Sequence, residues 1–135
     1  MTKVVIDTNT FISALLSNGP SRSIVRAWIK DAFVLITSSE LLGELIFVLN
    51  KPKFSEIKAA GVLLVFTIKK KAAFVTPTHS LTICRDAKDN KFLNCAMKAD
   101  LLISGDGDIL VLKDSNLFPI PILTSREFLG RLERE

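Results

Sequence analysis

Short apolar runs that alternate with helix-like segments constrain the fold of this chain more than any other feature. Each run is short and rich in Val, Ile and Leu, as expected for buried strands. Because strands that alternate with helices favour a parallel sheet with helices on both faces, we expect an α/β fold. The length of 135 residues is typical of one domain, which we assign to residues 1–135. The predicted strands are Lys3–Ile6 and residues 33–36, 81–84, 101–103 and 120–123.

Helix boundaries are predicted from capping and turn residues. Serines after the second strand can cap a helix that ends near Asn50, because Pro52 cannot continue it. Residues 54–75 are strongly apolar with lysines near both ends, which predicts two helices hinged near Gly61. Further helices are expected over residues 20–31, over residues 87–99 and after the capping-box sequence of residues 124–127.

The cysteine and histidine content argues against several kinds of site. Cys84 and Cys95 lack the spacing of a CxxC motif, and His79 is the one histidine of the chain. Imidazole-rich zinc sites and Ser-His-Asp or Cys-His catalysis are therefore disfavoured. No apolar stretch approaches the roughly 20 residues that a membrane span needs, and the first residues do not resemble a signal peptide. We expect a cytoplasmic protein with no membrane segment.

Basic residues outnumber acidic ones. Eighteen Lys and Arg against fourteen Asp and Glu give a net charge of +4, which favours a polyanionic partner. The basic residues extend from Arg22 to the lysine run at residues 69–71. Their spread leaves two interpretations open, a groove for nucleic acid or a set of solvated helix faces.

Acidic residues follow the predicted strands at their carboxyl ends. In a parallel βα unit, the carboxyl end of each strand and the start of the next helix lie at the same edge of the sheet. Acids from four separate segments are therefore expected to meet at that edge. These acids are Asp7, then Glu40 and Glu44, then Asp86 and Asp89, and finally Asp106 and Asp108.

Helical phase selects among these acids. Asp89 shares a helix face with apolar residues, whereas Lys91 and the neighbouring lysines fall on the opposite side. Glu44 lies nearer to the leucine stripe of its helix than Glu40, so we prefer Glu44 as a site residue. Glu40 and Asp86 are assigned to surface or capping roles.

A cluster of carboxylates needs a positive counter-charge. Two bare carboxylates about 4 Å apart repel by roughly 4 kcal/mol at an effective dielectric constant near 20. Four of them would consume much of the roughly 5 to 15 kcal/mol that stabilises a typical domain. Hard divalent ions prefer oxygen ligands. The sequence therefore predicts a site for Mg²⁺ or Mn²⁺.

Four motifs follow one another along nearly the whole chain. They are residues 4–9 (VVIDTN), residues 39–45 with Glu44, residues 86–90 (DAKDN) and residues 103–108 (ISGDGD). In order and approximate spacing they resemble the PIN-domain nucleases, among them the VapC-like toxins. Ser104 stands where the family more commonly has Thr, and it keeps the hydroxyl group.

The resemblance implies a three-layer α/β/α PIN-like domain with the activity of a metal-dependent endoribonuclease. Such an enzyme hydrolyses RNA to 5′-phosphate and 3′-hydroxyl ends and is often the toxin of a toxin-antitoxin pair. By position, the resemblance implies that the catalytic and metal-binding acids are Asp7, Glu44, Asp89 and Asp106, with Asp108 as an additional metal ligand. It also implies that Asn9 and Ser104 are supporting polar residues.

Partners are predicted from charge and from one apolar segment. RNA is the expected substrate, and an antitoxin protein is a possible partner. Residues 62–66 (VLLVF) are either core or an interaction surface, and their breadth favours a homodimer interface or an antitoxin groove.

Two other functions share part of this pattern. A haloacid-dehalogenase-like phosphatase also places an Asp after its first strand, but Asn9 stands where that family needs a second Asp. Leu110 likewise stands where its later motif needs an acid. A non-catalytic RNA-binding or regulatory module with the same fold is the other alternative, and the retention of all four acids argues against it.

Overall fold

The computed structural model describes all 135 residues, and a five-stranded sheet forms its centre. The strands are β1 (Lys3–Ile6), β2 (Val34–Thr37), β3 (Ala73–Phe74), β4 (Leu101–Ile103) and β5 (Ile122–Leu123). The strand order is β3-β2-β1-β4-β5, and every pairing is parallel. The predicted α/β fold with a parallel sheet is thereby confirmed.

Seven α-helices flank this sheet. They are α1 (Thr8–Leu16), α2 (Pro20–Ile29), α3 (Ser39–Leu49), α4 (Lys58–Lys71), α5 (Asn90–Ala96), α6 (Gly107–Leu110) and α7 (Ser125–Glu133). Two 3-10 helices, Pro52–Ile57 and Ala87–Asp89, lead into α4 and α5. None of the helices combines the length and the apolar character that crossing a membrane requires.

Alternate side chains along the strands build an apolar core on each face of the sheet. Val4 and Ile6 of β1 belong to the larger core, which α1, α2, α3, α4 and α7 cover. Val5 belongs to the other core, which α5 and the segment around α6 cover. Phe33 and Phe128 meet edge to face in the larger core, with ring centroids 5.1 Å apart. The predicted three-layer α/β/α arrangement is confirmed.

β1 and β4 lie where the path of the chain across the sheet reverses. From β1 the chain moves to β2 and β3 on one side, and afterwards to β4 and β5 on the other. Ile6 pairs with Ile103, and the Asp7 N–H donates to the Ile103 carbonyl at 3.1 Å. The two strands therefore end at the same level, and ligand sites of parallel sheets form at such reversal points.

The predicted hinge near Gly61 is wrong. α4 runs through Gly61 without a break, and the change of helix type comes earlier, between Ile57 and Lys58. A Cβ atom at position 61 would lie 2.9 Å from Leu49 Cδ2 of α3. The glycine therefore allows α4 to pack closely on α3 and does not bend the helix.

The predicted strand at residues 81–84 is also wrong. The Leu81 N–H donates to Asn94 Oδ1 at 2.7 Å, and the Cys84 N–H donates to Asn90 Oδ1 at 2.9 Å. Side-chain amides of α5 thus take the place of a neighbouring strand, because they satisfy the backbone groups of this segment directly. The short edge strand β3 joins the sheet instead.

Candidate metal centre

Asp7 follows β1 directly, and both of its carboxylate oxygens accept hydrogen bonds. Oδ1 accepts from the Thr10 N–H at 2.9 Å and so caps α1, while Oδ2 accepts from the Ser104 hydroxyl at 2.5 Å. Only 2% of Asp7 is exposed. Burial raises the pKa of Asp7, whereas these hydrogen bonds oppose the rise. The protein therefore fixes this carboxylate in one orientation.

Ser104 connects the ends of β1 and β4. Its buried hydroxyl donates to Asp7 and accepts from the Asp106 N–H at 3.0 Å. Asp106 in turn caps α6, because its Oδ1 accepts from the Asp108 N–H at 2.8 Å. The acid after β1 and the acid after β4 are thus positioned relative to each other through a single hydroxyl group.

Glu44 reaches the same place from the middle of α3. Its Oε2 accepts a hydrogen bond from the Thr8 hydroxyl, and its Oε1 pairs with Lys91 Nζ at 2.6 Å. Glu40, one turn earlier on α3, is exposed and has no such contact. The structure therefore brings Glu44, and not Glu40, next to the end of β1.

Lys91 contacts an acid of the site although its helical position was predicted to be opposite Asp89. Only 15% of its side chain is exposed, and besides Glu44 its Nζ donates to the Lys88 carbonyl at 2.5 Å. The same Nζ lies 5.5 Å from the centroid of the Phe92 ring. A long aliphatic stem allows the ammonium group to reach back across the helix surface. The chain thereby supplies one cation of its own to the acids.

Asp89 is the acid with the fewest hydrogen bonds. It is 9% exposed, and its Oδ2 is buried without any hydrogen-bond partner. Burial, followed by the negative charges of Asp106 and Asp86, raises the pKa of Asp89 to about 6. A buried acceptor without a donor is costly, and more so when it is ionised. This oxygen is therefore open to a cationic ligand.

Asp86, Asp89 and Asp108, which we call the outer acids, form a compact group. One carboxylate oxygen from each lies within 4.8 Å of the other two. Asp86 also caps the 3-10 helix by accepting from the Lys88 N–H at 3.0 Å, in agreement with its predicted capping role. Asp108 pairs with Arg85 Nε at 3.0 Å. Asp86 thus caps the 3-10 helix and also lies close to the carboxylates of Asp89 and Asp108.

A cleft of about 280 Å³, which we call the acid cleft, contains all four acids that the motifs single out. Asp7, Glu44, Asp89 and Asp106 line it together. Asp108 is not part of the lining but is within reach of Asp89. Carboxylates from distant segments of the chain therefore converge at the carboxyl edge of the sheet, as the topology predicts.

The other predicted polar residues lie at different depths of the acid cleft. Asn9 lines the cleft from the first turn of α1 and is exposed, while Ser104 is buried behind Asp7. Lys51 and Lys88 are exposed lining residues. The mouth of the cleft therefore carries positive charge above a negative floor.

Three side chains at the site are absent from the predictions. Thr8 donates to Glu44, Lys91 pairs with Glu44, and Arg85 pairs with Asp108. Thr8 directly follows Asp7, and Arg85 directly precedes Asp86. This proximity in sequence is the one signal that could have identified them. No sequence signal identifies Lys91, because its helical position alone indicates a solvent-facing residue.

The residues present fit a divalent metal ion. The donors are carboxylate oxygens, which hard cations such as Mg²⁺ and Mn²⁺ prefer. The orphaned Asp89 Oδ2 would gain a ligand bond, and the repulsion that raises the pKa of Asp89 would be relieved. Histidine and cysteine are absent from the lining, so the chemistry of the site is that of oxygen ligands.

Comparison with known proteins agrees with this geometry. The sequence model of the PIN domain matches residues 3–108, a range that includes every acid of the cleft. The uncharacterized protein MJ1680 of Methanocaldococcus jannaschii is 32% identical over 145 aligned positions, which cover 98% of this chain and 92% of that protein. PIN domains are generally metal-dependent nucleases. The chain belongs to the PIN-domain family.

Proposed function

We propose that residues 1–135 form a single PIN-like domain that acts as a Mg²⁺- or Mn²⁺-dependent endoribonuclease. The observation that supports this most is the orphaned Asp89 Oδ2 in a cleft lined by four further carboxylates. Such an arrangement is unfavourable without a cation and is well suited to bind one. RNA is the proposed substrate, because the cleft mouth carries lysines that can contact phosphates.

In this proposal each acid has a role. When bound, a divalent ion would lower the pKa of a water molecule and neutralise charge that develops on the scissile phosphate. Ser104 and Asn9 are supporting polar residues, and Lys91 holds Glu44 in place. The residues proposed to hold the ion are Asp7, Glu44, Asp89 and Asp106, with Asp108 as an additional ligand.

The residues of the chain also position the substrate. Lys51 and Lys88 are exposed on the cleft lining, where they can bind phosphates on either side of the scissile bond. Phosphate contacts of this kind fix orientation without reading sequence. The proposed activity is therefore directed at single-stranded RNA in general, with sequence preference set elsewhere.

Replacement of Asp7 by Asn tests the activity. We expect purified protein to cut single-stranded RNA with Mn²⁺ or Mg²⁺, EDTA to stop the reaction, and Asp7→Asn to abolish it without lowering the melting temperature. Glu40→Gln is the matched control, because Glu40 is an exposed acid on α3 outside the cleft. Undiminished cutting by Asp7→Asn would rule out the proposal, and RNA binding without cutting by the wild type would favour the non-catalytic module.

The chemistry of the ends provides a second test. A metal-activated water leaves a 5′-phosphate and a 3′-hydroxyl, whereas attack by the 2′-hydroxyl leaves a cyclic phosphate and a 5′-hydroxyl. Ligation of the products to adaptors that require a 5′-phosphate distinguishes these outcomes. Products with 5′-hydroxyl ends would contradict the proposed hydrolysis.

We propose further that the enzyme is the toxin of a toxin-antitoxin pair and that its α4 face binds a protein partner. Val62, Leu63 and Phe66 of α4 are 60%, 67% and 55% exposed, an unusual concentration of apolar surface. A second copy of the chain is the first candidate partner and an antitoxin is the second. Induced expression is expected to arrest growth, and Asp89→Asn to abolish the arrest.

Light scattering tests the first candidate partner, a second copy of the chain. If the α4 face forms a homodimer, the wild type has the mass of two chains and Leu63→Asp has the mass of one. Leu117→Asp is the matched control, because Leu117 is similarly exposed, at 64%, in the segment between α6 and β5. A monomeric wild type would refute the dimer, and a dimer that persists in Leu63→Asp would show that the α4 face does not form it.

A further inference from the structure

A second cleft, which we call the polar cleft, lies beside the acid cleft. Its volume is about 390 Å³, and eight of its ten lining residues have polar side chains, the other two being Pro20 and Gly105. Residues from the starts of α1, α2 and α7 and from the segment between β4 and α6 contribute to it. Hydroxyl and other polar groups on this lining suit a ligand that is rich in oxygen atoms.

The polar cleft is continuous with the acid cleft. Asn9 and Asp106 line both of them, so a strand that passes the acids on that side enters the polar cleft next. The residue types also change along this path. Carboxylates dominate the acid cleft, whereas hydroxyl groups dominate the polar cleft, with Asp106 at the border between them.

The lining of the polar cleft matches a sugar-phosphate chain. Hydroxyl groups of Ser13, Ser21 and Ser125 can donate to or accept from phosphate and ribose oxygens. Ser21 and Ser125 already approach each other at 2.9 Å across the cleft, which joins α2 to α7. These hydroxyl groups can bind phosphate and ribose oxygens whatever the identity of the attached base.

Arg126 is the only basic side chain of the polar cleft, and it is free. It is exposed and forms no ion pair or hydrogen bond within the protein. Lys51 and Lys88, the basic residues that line the acid cleft, also form no ion pair, so Arg126 extends a set of free cations into the polar cleft. An unpaired guanidinium group is the side chain best suited to bind a phosphate through two parallel hydrogen bonds.

We infer that the polar cleft is a backbone subsite for the RNA segment next to the scissile bond, with Arg126 as its phosphate contact. The inference rests on the proposed function, because the ligand is the RNA substrate itself. It also predicts the path of the RNA, since the strand would leave the acid cleft between α1 and α7. Contacts to phosphate and ribose make this subsite independent of base sequence.

Salt-dependent binding tests the subsite. A fluorescein-labelled single-stranded RNA is titrated with protein that carries Asp7→Asn, at fixed Mg²⁺ and several KCl concentrations, and anisotropy is measured. Arg126→Gln in this background is expected to weaken binding about tenfold. It should also reduce the slope of log affinity against log salt by about 0.7, the value for one phosphate contact to a single strand.

Arg131→Gln is the matched control, because Arg131 is exposed on α7 but lies outside the polar cleft. We expect no change in its salt slope. A second variant, Ser13→Glu, places a negative charge in the cleft at an exposed position of α1 and should weaken binding at least as much as Arg126→Gln.

The results separate the subsite from the activity. If wild-type protein cuts RNA but Arg126→Gln binds with the same affinity and salt slope as Arg131→Gln, the subsite is refuted while the proposed function stands. If the wild type neither binds nor cuts RNA, both the proposed function and the subsite are refuted. Selective loss of affinity in both Arg126→Gln and Ser13→Glu supports the subsite.

Discussion

Two regions of the acid cleft differ in how the protein compensates a buried carboxylate. Asp7 is 2% exposed, yet both of its oxygens accept hydrogen bonds from Thr10 and Ser104. Asp89 is 9% exposed, and its Oδ2 accepts none. The inner acid is held by the protein, and the outer acid is left to a ligand. Burial alone therefore does not show which carboxylate lacks compensation, whereas burial without a hydrogen-bond donor does.

The same contrast extends to the neighbours of each acid. Glu44 has Thr8 and Lys91 as partners, so its charge is compensated within the chain. Asp89 is surrounded by other acids, and their charges add to the effect of burial on its pKa. We expect the inner acids, Asp7 and Glu44, to hold their positions without metal and Asp89 to depend on it.

Among the variants that test this contrast, the largest effect is expected at Asp89. Asp89→Asn removes the carboxylate that lacks a donor, so we expect RNA cleavage to fall by about 100-fold or more, equivalent to about 3 kcal/mol of barrier. Mn²⁺ at 100 times its dissociation constant should stabilise the wild type by about 2.7 kcal/mol and the variant by much less. Thermal unfolding with and without Mn²⁺ measures the second effect. Asp114→Asn, an exposed loop acid, is the control.

Stability against pH in EDTA tests the contrast next. The raised pKa of Asp89, about 6, means that the folded state binds a proton more tightly than the unfolded state does. Between roughly pH 4 and pH 6 the metal-free protein should therefore lose stability as pH rises, by about 2 kcal/mol after solvent screening is allowed for. Urea unfolding at pH 4.5 and about pH 7 measures the difference.

Two additions sharpen this pH experiment. Asp89→Asn should flatten the dependence, although the raised pKa of Asp7 contributes in the same direction and remains. Saturating Mn²⁺ should also flatten it, because an ion favours the ionised form. A metal-free wild type that gains stability steadily from pH 4.5 to 7 would contradict the assignment of Asp89 as the uncompensated acid.

Lys91→Met tests the inner region. The variant keeps the aliphatic stem but leaves Glu44 without its ion pair, so we expect a loss of about 1.5 kcal/mol of unfolding free energy in EDTA. Mn²⁺ should recover part of this loss, since an ion can compensate Glu44 as well. Lys98→Met on the exposed side next to α5 is the control. If Lys91→Met lost the same unfolding free energy with and without Mn²⁺, the ion pair of Lys91 would be independent of metal binding.

The smallest effect is expected at the rim. The pair between Arg85 and Asp108 has side chains 63% and 37% exposed, so Arg85→Gln should change the unfolding free energy by less than about 0.5 kcal/mol. Chemical denaturation at low and high salt measures this. A loss as large as that of Lys91→Met would mean that Arg85 holds the loop of Asp108 in place, through its second contact to the Gly107 carbonyl at 3.3 Å.

The sequence was sufficient for those parts of the site that follow from strand ends and helix caps. Asp7 and Asp106 could be predicted because each follows a short buried strand, and the sheet topology then brings them together. Glu44 followed from helical phase, since the leucines of α3 that define the buried stripe are buried as expected. Local sequence rules therefore identified each acid, and the sheet topology then predicted that the acids lie close together.

Contacts that depend on long side chains or on weak local preference could not be predicted. Lys91 lies on the expected face of its helix, but its stem carries the charge to Glu44. α1 begins with Thr8, Asn9 and Thr10, which favour helix weakly, and it forms because Asp7 caps it and its apolar side packs on α2. Residues 81–84 do not form the predicted strand, because two asparagine side chains of α5 accept their backbone hydrogen bonds.

The contact between Ser104 and Asp7 links the architecture of the sheet to the charge of the cleft. One proton lies between the two oxygens, and the serine donates it, so this contact favours the ionised form of Asp7 against the effect of burial. A cation near the carboxylate favours the same form. Binding of a metal ion should therefore strengthen the contact between Ser104 and Asp7, and with it the alignment of β4 with β1. The same contact should in turn favour binding of the ion.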